Sequence, residues 1–106
     1  MRNDVFQVYV VELNDDACKR TDCVSKASRK PHVYVGETAK TPEERLAVHL
    51  AGGRNSAPVV RKHGVRLLPG LYRAVSPCTS RSASRAAEAR LAARLTKRGH
   101  CVYGGH

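Results

Sequence analysis

The stretch Val33 to His49, VYVGETAKTPEERLAVH, constrains the chain most, because it marks a strand, the end of that strand and the start of a helix in one run. Val33 and Val35 alternate with Tyr34 in the period-two pattern of a strand over Val33 to Glu37, and Gly36 lets another backbone or a ligand come close near its end. Thr41 then stands at an N-cap, Pro42 suits the first helical position, Glu44 completes a capping box, and Gly52-Gly53 stops the helix. On that helix Arg45 and His49 share a face, with Leu46 and Leu50 forming the neighbouring face expected to pack on a sheet. Each piece also has a plainer reading: a strand tyrosine packs, an Arg/His pair is a solvated face, a glycine ends a strand. Their combination with an earlier Tyr9 and a later Glu88 is what points to a site.

Val5 to Leu13 reads as the first strand, with Phe6, Val8 and Val10 on one face and Val5, Gln7, Tyr9 and Val11 on the other. Both faces are largely apolar, which suits a central strand, most simply antiparallel to the second. Residues 14–30 have no helical or strand period and are rich in charge, so they are expected to be a long connecting loop inserted between the first two strands. A short helix is expected from Pro58 to Lys62, capped by Asn55 or Ser56 and stopped by Gly64. Val65 to Leu68 and Leu71 to Val75 read as strand, divided by a Pro69-Gly70 turn. A second long helix runs from about Ser82 to Arg98; its stripe is Ala87, Leu91 and Leu95 with Ala92 beside it, so Glu88 lies at the border of the buried face. Cys101 to Tyr103 adds a short edge segment. At 106 residues this is one domain, 1–106.

Charge separates the two parts of that domain. Residues 1–44 hold 7 Lys/Arg against 8 Asp/Glu, whereas residues 45–106 hold 12 against 1, for −1 and +11. A half that basic suits a polyanion, nucleic acid before an anionic membrane or a merely soluble surface. Its single acid, Glu88, is then either a salt-bridge partner or a metal ligand at a phosphate-binding surface. The N-terminus, with Asp4 and Gln7 interrupting its apolar run, suits neither a signal peptide nor a membrane span, so a cytoplasmic protein is expected. Cys18, Cys23 and His32 would supply three zinc ligands at indifferent spacing, with Cys78 and Cys101 far along the chain; thiols are the default in that compartment, and a zinc site or a redox disulfide the alternatives. His63, His100 and His106 read as surface residues. Ser76 to Ser84 resembles a phosphate-contacting loop in composition, or simply a loop leading into the helix.

VYV at Val8 to Val10, YVG at Tyr34 to Gly36, the Arg45/His49 pair on the next helix and Glu88 on a late helix together resemble the GIY-YIG nuclease domain, over nearly the whole chain. Gln7 stands where the first triplet usually has glycine. The family's late asparagine has no counterpart after Asn55, and His100 lies in about its place. The resemblance implies an α/β (α+β) fold: a small three-stranded antiparallel sheet flanked by helices, with divalent-metal hydrolysis of a DNA phosphodiester. It also makes Tyr9 the better candidate for general base, with Tyr34 orienting water or phosphate and His49 helping proton transfer.

Hydrolysing a phosphodiester requires an activated water, neutralised transition-state oxygens and a stabilised leaving alkoxide. Glu88 would hold one Mg²⁺ or Mn²⁺, mostly through waters, and Arg45 would clamp the scissile phosphate as a bidentate donor. A neighbouring cation or a metal-bound network would have to lower the pKa of a tyrosine for it to act as base. Gly36 would allow substrate approach, and Arg54, Arg61, Lys62, Arg85 and His100 would bind substrate. The expected partner is DNA, single-stranded, structured or double-stranded, cut with low sequence specificity unless a dimer or partner subunit supplies it. A non-catalytic basic nucleic-acid-binding module and a zinc-stabilised adaptor are the competing classes.

Overall fold

β1, Gln7–Leu13, buries Val8, Tyr9, Val10, Val11 and Leu13, so side chains on both of its faces are out of water. A strand buried on both faces belongs in the interior of a sheet, and this one is paired at both edges. In this computed structural model, which describes residues 5–14, 32–52, 57–75 and 77–104, β1 pairs antiparallel with β2, His32–Thr38, from Gln7 opposite Thr38 to Leu13 opposite His32. The second half of β1 pairs antiparallel on its other edge with β3, Gly64–Leu67. The structure does not describe most of the expected loop at 14–30, Cys18 and Cys23 included.

The sheet has four strands in the order β3-β1-β2-β4 and is mixed, which corrects the expected three-stranded antiparallel arrangement. The added strand is β4, Val102–Gly104, the edge segment expected in the tail. It runs parallel to β2, with Tyr103 beside Tyr34, and the Val33 amide donates to the Cys101 carbonyl at 3.0 Å. Parallel pairing follows from the connection, because a long helix carries the chain back before it rejoins the sheet.

Among the described residues, three helices pack around this sheet. α1, Pro42–Ala51, starts as its sequence demands: Thr41 Oγ1 accepts from the Glu44 amide at 3.1 Å and donates to Glu44 Oε1 at 3.1 Å. Gly52, at φ 76°, ends it in the left-handed conformation that glycine adopts without strain. α2, Pro58–His63, has Ala57 at its N-cap with no side-chain cap, whereas the expected caps Asn55 and Ser56 lie outside the described residues. α3, Arg81–Lys97, is capped by Ser80, whose hydroxyl accepts from the Ala83 amide at 3.1 Å, and buries Ser84, Ala87, Glu88, Leu91, Ala92 and Leu95.

Three further expectations are corrected. Leu71 to Val75 is not strand: Pro69–Leu71 forms a 3-10 turn, and the amides of Leu71, Tyr72, Arg73 and Val75 donate to carbonyls three or four residues back, leaving none of those donors for a ladder. Leu50 does not pack on the sheet but is 47% exposed, because the inward face of α1 is centred on buried Pro42 and His49, with Leu46 half-buried beside them. His100 is buried rather than on the surface, its amide turned back to the Leu95 carbonyl at 3.0 Å as α3 ends. Among the described residues, Cys78 and Cys101 are thiols and no helix is long and apolar enough to cross a membrane.

Candidate active site

Register places the first two site residues. Tyr9 on β1 lies directly opposite Gly36 on β2, and Val11 opposite Tyr34, so both tyrosines stand on one face of the sheet with ring centroids 6.3 Å apart. Tyr9 leans across Gly36 so closely that a Cβ there would sit 2.6 Å from Tyr9 Oη. The close neighbour of Gly36 is thus the Tyr9 side chain, whereas another backbone or a ligand was expected there from the sequence.

α1 supplies the next two. His49 is fully buried, with its ring 6.2 Å from that of Tyr9 and 5.7 Å from that of Tyr34. Its Nε2 lies 2.8 Å from Tyr9 Oη, and its Nδ1 accepts a hydrogen bond from the Ala57 amide at 2.8 Å. Arg45, one turn earlier and half-buried, faces the same space. α3 adds Glu88, 8% exposed, and Arg85 one turn before it. Tyr9, Tyr34, Gly36, Glu37, Arg45, Arg85 and Glu88 line one cleft of about 410 Å³.

Not all expected residues belong to that cleft. His49 stands behind Tyr9 rather than in the lining. Arg61 and Lys62 are exposed on α2, and His100 is buried beyond the end of α3, none of them lining the cleft. Arg54 lies outside the described residues.

One lining residue was missed. Glu37 follows Gly36 directly, and its side chain is 10% exposed. Its Oε1 accepts from Arg81 Nη1 at 3.0 Å and its Oε2 from Ser84 Oγ at 2.9 Å. Arg81 also lies over the Phe6 ring, 5.0 Å from its centroid. The signal available in sequence was only adjacency to Gly36, since the partners of Glu37 come from α3.

Electrostatics set the resting protonation states. Burial raises the Tyr9 phenol well above its ordinary pKa, with Tyr34 adding to the effect, while the charge of Arg45 and its hydrogen bond pull the other way. Tyr34 is raised by burial and then by Glu88, again opposed by Arg45. The cation expected to lower a tyrosine is thus present, but burial outweighs it, and both phenols rest protonated. His49 is lowered to about 4, first by burial and then by Arg45, so its imidazole is neutral at pH 7.

Two carboxylates, Glu37 and Glu88, face the cleft, and both oxygens of Glu37 accept protein hydrogen bonds. Among the described residues no group of three or more His, Cys, Asp and Glu could hold a metal. One carboxylate suits Mg²⁺ or Mn²⁺, hard cations that keep several waters and take phosphate oxygens as their remaining ligands. No family model, curated protein or solved structure compared with the chain matches it.

Proposed function

We propose that the protein is a cytoplasmic, metal-dependent DNA endonuclease of the GIY-YIG type, hydrolysing phosphodiester bonds with low sequence specificity. The observation that carries this reading is the convergence of Tyr9, Tyr34, Arg45 and Glu88, from four separate elements, on one cleft that also holds Arg85. The basic half of the chain supports a polyanionic substrate.

Each residue has a part in that reaction. Arg45 presents a planar fork of donors to the scissile phosphate. Arg85, which lines the same cleft from α3, pairs with a neighbouring phosphate and sets the register of the strand. Tyr34 orients the attacking water, and Tyr9 takes its proton once its own phenol is ionised. Glu88 would hold the Mg²⁺ or Mn²⁺, which supplies charge neutralisation at the phosphate oxygens. Specificity beyond the cleft would come from a dimer or a partner subunit.

The test is cleavage of end-labelled single- and double-stranded DNA by wild type and Glu88→Ala, with Mg²⁺, Mn²⁺ or EDTA. Cutting by wild type alone, abolished by EDTA, is expected. Salt-sensitive binding without cutting under any condition would instead identify a binding module, for which Glu88→Ala binds as well as wild type or better.

A further inference from the structure

The hydrogen bonds around His49 have a direction. Nδ1 sits 2.8 Å from the Ala57 amide nitrogen, and a backbone N–H is only ever a donor. Nδ1 must therefore carry a lone pair and no proton. In a neutral imidazole the single ring proton then resides on Nε2, the atom that lies 2.8 Å from Tyr9 Oη. His49 is consequently the donor in that contact and Tyr9 the acceptor. The hydroxyl proton of Tyr9 cannot point back at His49 and has to turn elsewhere.

We infer that the backbone amide of Ala57 is a positioning group, holding His49 in its Nε2–H tautomer so that the imidazole donates to Tyr9 and the Tyr9 hydroxyl is directed into the cleft. The relay runs one way, from the Ala57 amide to His49 and from His49 to Tyr9. Its catalytic consequence rests on the nuclease reading: when Tyr9 ionises, its proton leaves through the cleft to solvent, and Nε2–H stays behind to stabilise the phenolate. His49 then acts on the reaction through Tyr9 and never receives its proton. Accepting one would require a doubly protonated ring, whose Nδ1–H would oppose the Ala57 amide.

The fold gives reasons for the arrangement. Ala57 is the N-cap of α2, where first-turn amides have no partner within the helix, and its own N–H is aimed out of that helix at α1. Because His49 is fully buried, water does not compete for Nδ1. Among the described residues, the groups that face the ring are Tyr9 and Tyr34 from the sheet and Arg45 from its own helix, none of which is an anion at neutral pH that would draw a second proton onto it.

The test is nitrogen-15 NMR of the imidazole in the metal-free full chain at pH 7, with the His49 signals assigned by their absence from His49→Gln. The expected spectrum shows a protonated Nε2, an unprotonated Nδ1 and a coupling across the hydrogen bond between the Ala57 amide nitrogen and Nδ1. A protonated Nδ1, or no such coupling, overturns the proposal in wild type alone, so it does not depend on any variant folding. Ala57→Pro removes the amide at a φ of −79° that proline already favours. It should convert the ring to a mixture of tautomers and lower kcat for cleavage about tenfold with KM unchanged, the order expected for one lost hydrogen bond. Ala57→Gly, which keeps the amide, retains the wild-type tautomer. A folded Ala57→Pro protein with an unchanged tautomer removes Ala57 from the role. Absence of cleavage in wild type refutes the nuclease reading and leaves the tautomer result standing.

Discussion

Tyr9 and Gly36 face each other across the β1–β2 ladder, with so little room between them that a Cβ on Gly36 would meet Tyr9 Oη at 2.6 Å and Cζ at 2.7 Å. Gly36→Ala must therefore push the Tyr9 ring off its bond to His49 or separate two paired strands. The expected loss is about 1–3 kcal/mol, typical of overpacking in a filled interior. Urea unfolding of the two proteins measures it; an unchanged midpoint would mean that the Tyr9 ring moves without resistance.

Stability should depend on His49 in acid. Unfolded, its imidazole takes a proton near 6.5, and folded only near 4, so between these values the unfolded chain binds more protons and stability falls as pH falls. The contribution is fully present above about pH 6.5 and is lost by about pH 4, for roughly 3 kcal/mol in all. Urea midpoints of wild type and His49→Gln across this range separate it from the carboxylates, which titrate in both proteins. Parallel curves would refute it.

Arg45→Lys keeps the charge but loses the planar fork. Under the proposed mechanism kcat falls on the order of 10²–10³, as for removal of one preorganised donor, with little change in KM. Steady-state cleavage kinetics decide, and an Arg45→Lys enzyme as fast as wild type would reduce the role of Arg45 to simple charge.

Arg85 and Arg90 lie on the same helix but line different grooves, Arg85 the tyrosine cleft and Arg90 a groove with Pro77, Cys78 and Arg94. Arg85→Ala should flatten the plot of log K against log salt by about 0.7–0.9, the share of one phosphate contact, and Arg90→Ala should change it less. Fluorescence anisotropy on a labelled oligonucleotide across a salt series makes the comparison. Equal slopes for the two variants would put the nucleic acid somewhere other than the cleft.

The Arg81–Glu37 pair is held at 3.0 Å with Glu37 largely out of water. A double-mutant cycle with Arg81→Met and Glu37→Gln should give a coupling of about 1 kcal/mol, the upper end for a pair whose arginine remains open to solvent. Chemical denaturation of the four proteins supplies the number; a coupling near zero would leave Ser84, among the described residues, to anchor Glu37.

Local signals were legible in the chain and distant ones were not. Thr41, Pro42 and Gly52 act on their own neighbours, and α1 begins and ends where they stand. The doubly apolar pattern of Val8 to Val11 likewise marks β1 as central. The parallel direction of β4 depends instead on where α3 returns the chain, which a three-residue strand does not encode. Amphipathic reading assigned the inward face of α1 to Leu46 and Leu50; Leu46 does pack against the core, but beside it the buried residue is His49 and not Leu50, because Tyr9 and the Ala57 amide satisfy the polar atoms of His49 from other elements. Glu37 looked like the end of a strand; its partner Arg81 is 44 residues away. The Ala57 donor leaves no trace in sequence, since every residue except proline carries an amide.

β1 and β2 are the two central strands: each is paired along its length with the other and over three residues on its far edge, β1 with β3 and β2 with β4. Tyr34 lies inside the β4 ladder, opposite Tyr103, whereas Tyr9 lies before the β3 ladder, which begins at Val11. Fraying of the short outer ladders is a small event, whereas separating β1 from β2 is not. Amide hydrogen exchange should accordingly be slow in the β1–β2 ladder and fast in β3 and β4. Thermal fluctuation at β4 would then uncover the backbone edge beside Tyr34 while the ladder that holds Tyr9 opposite Gly36 persists, so one margin of the site breathes and its floor does not.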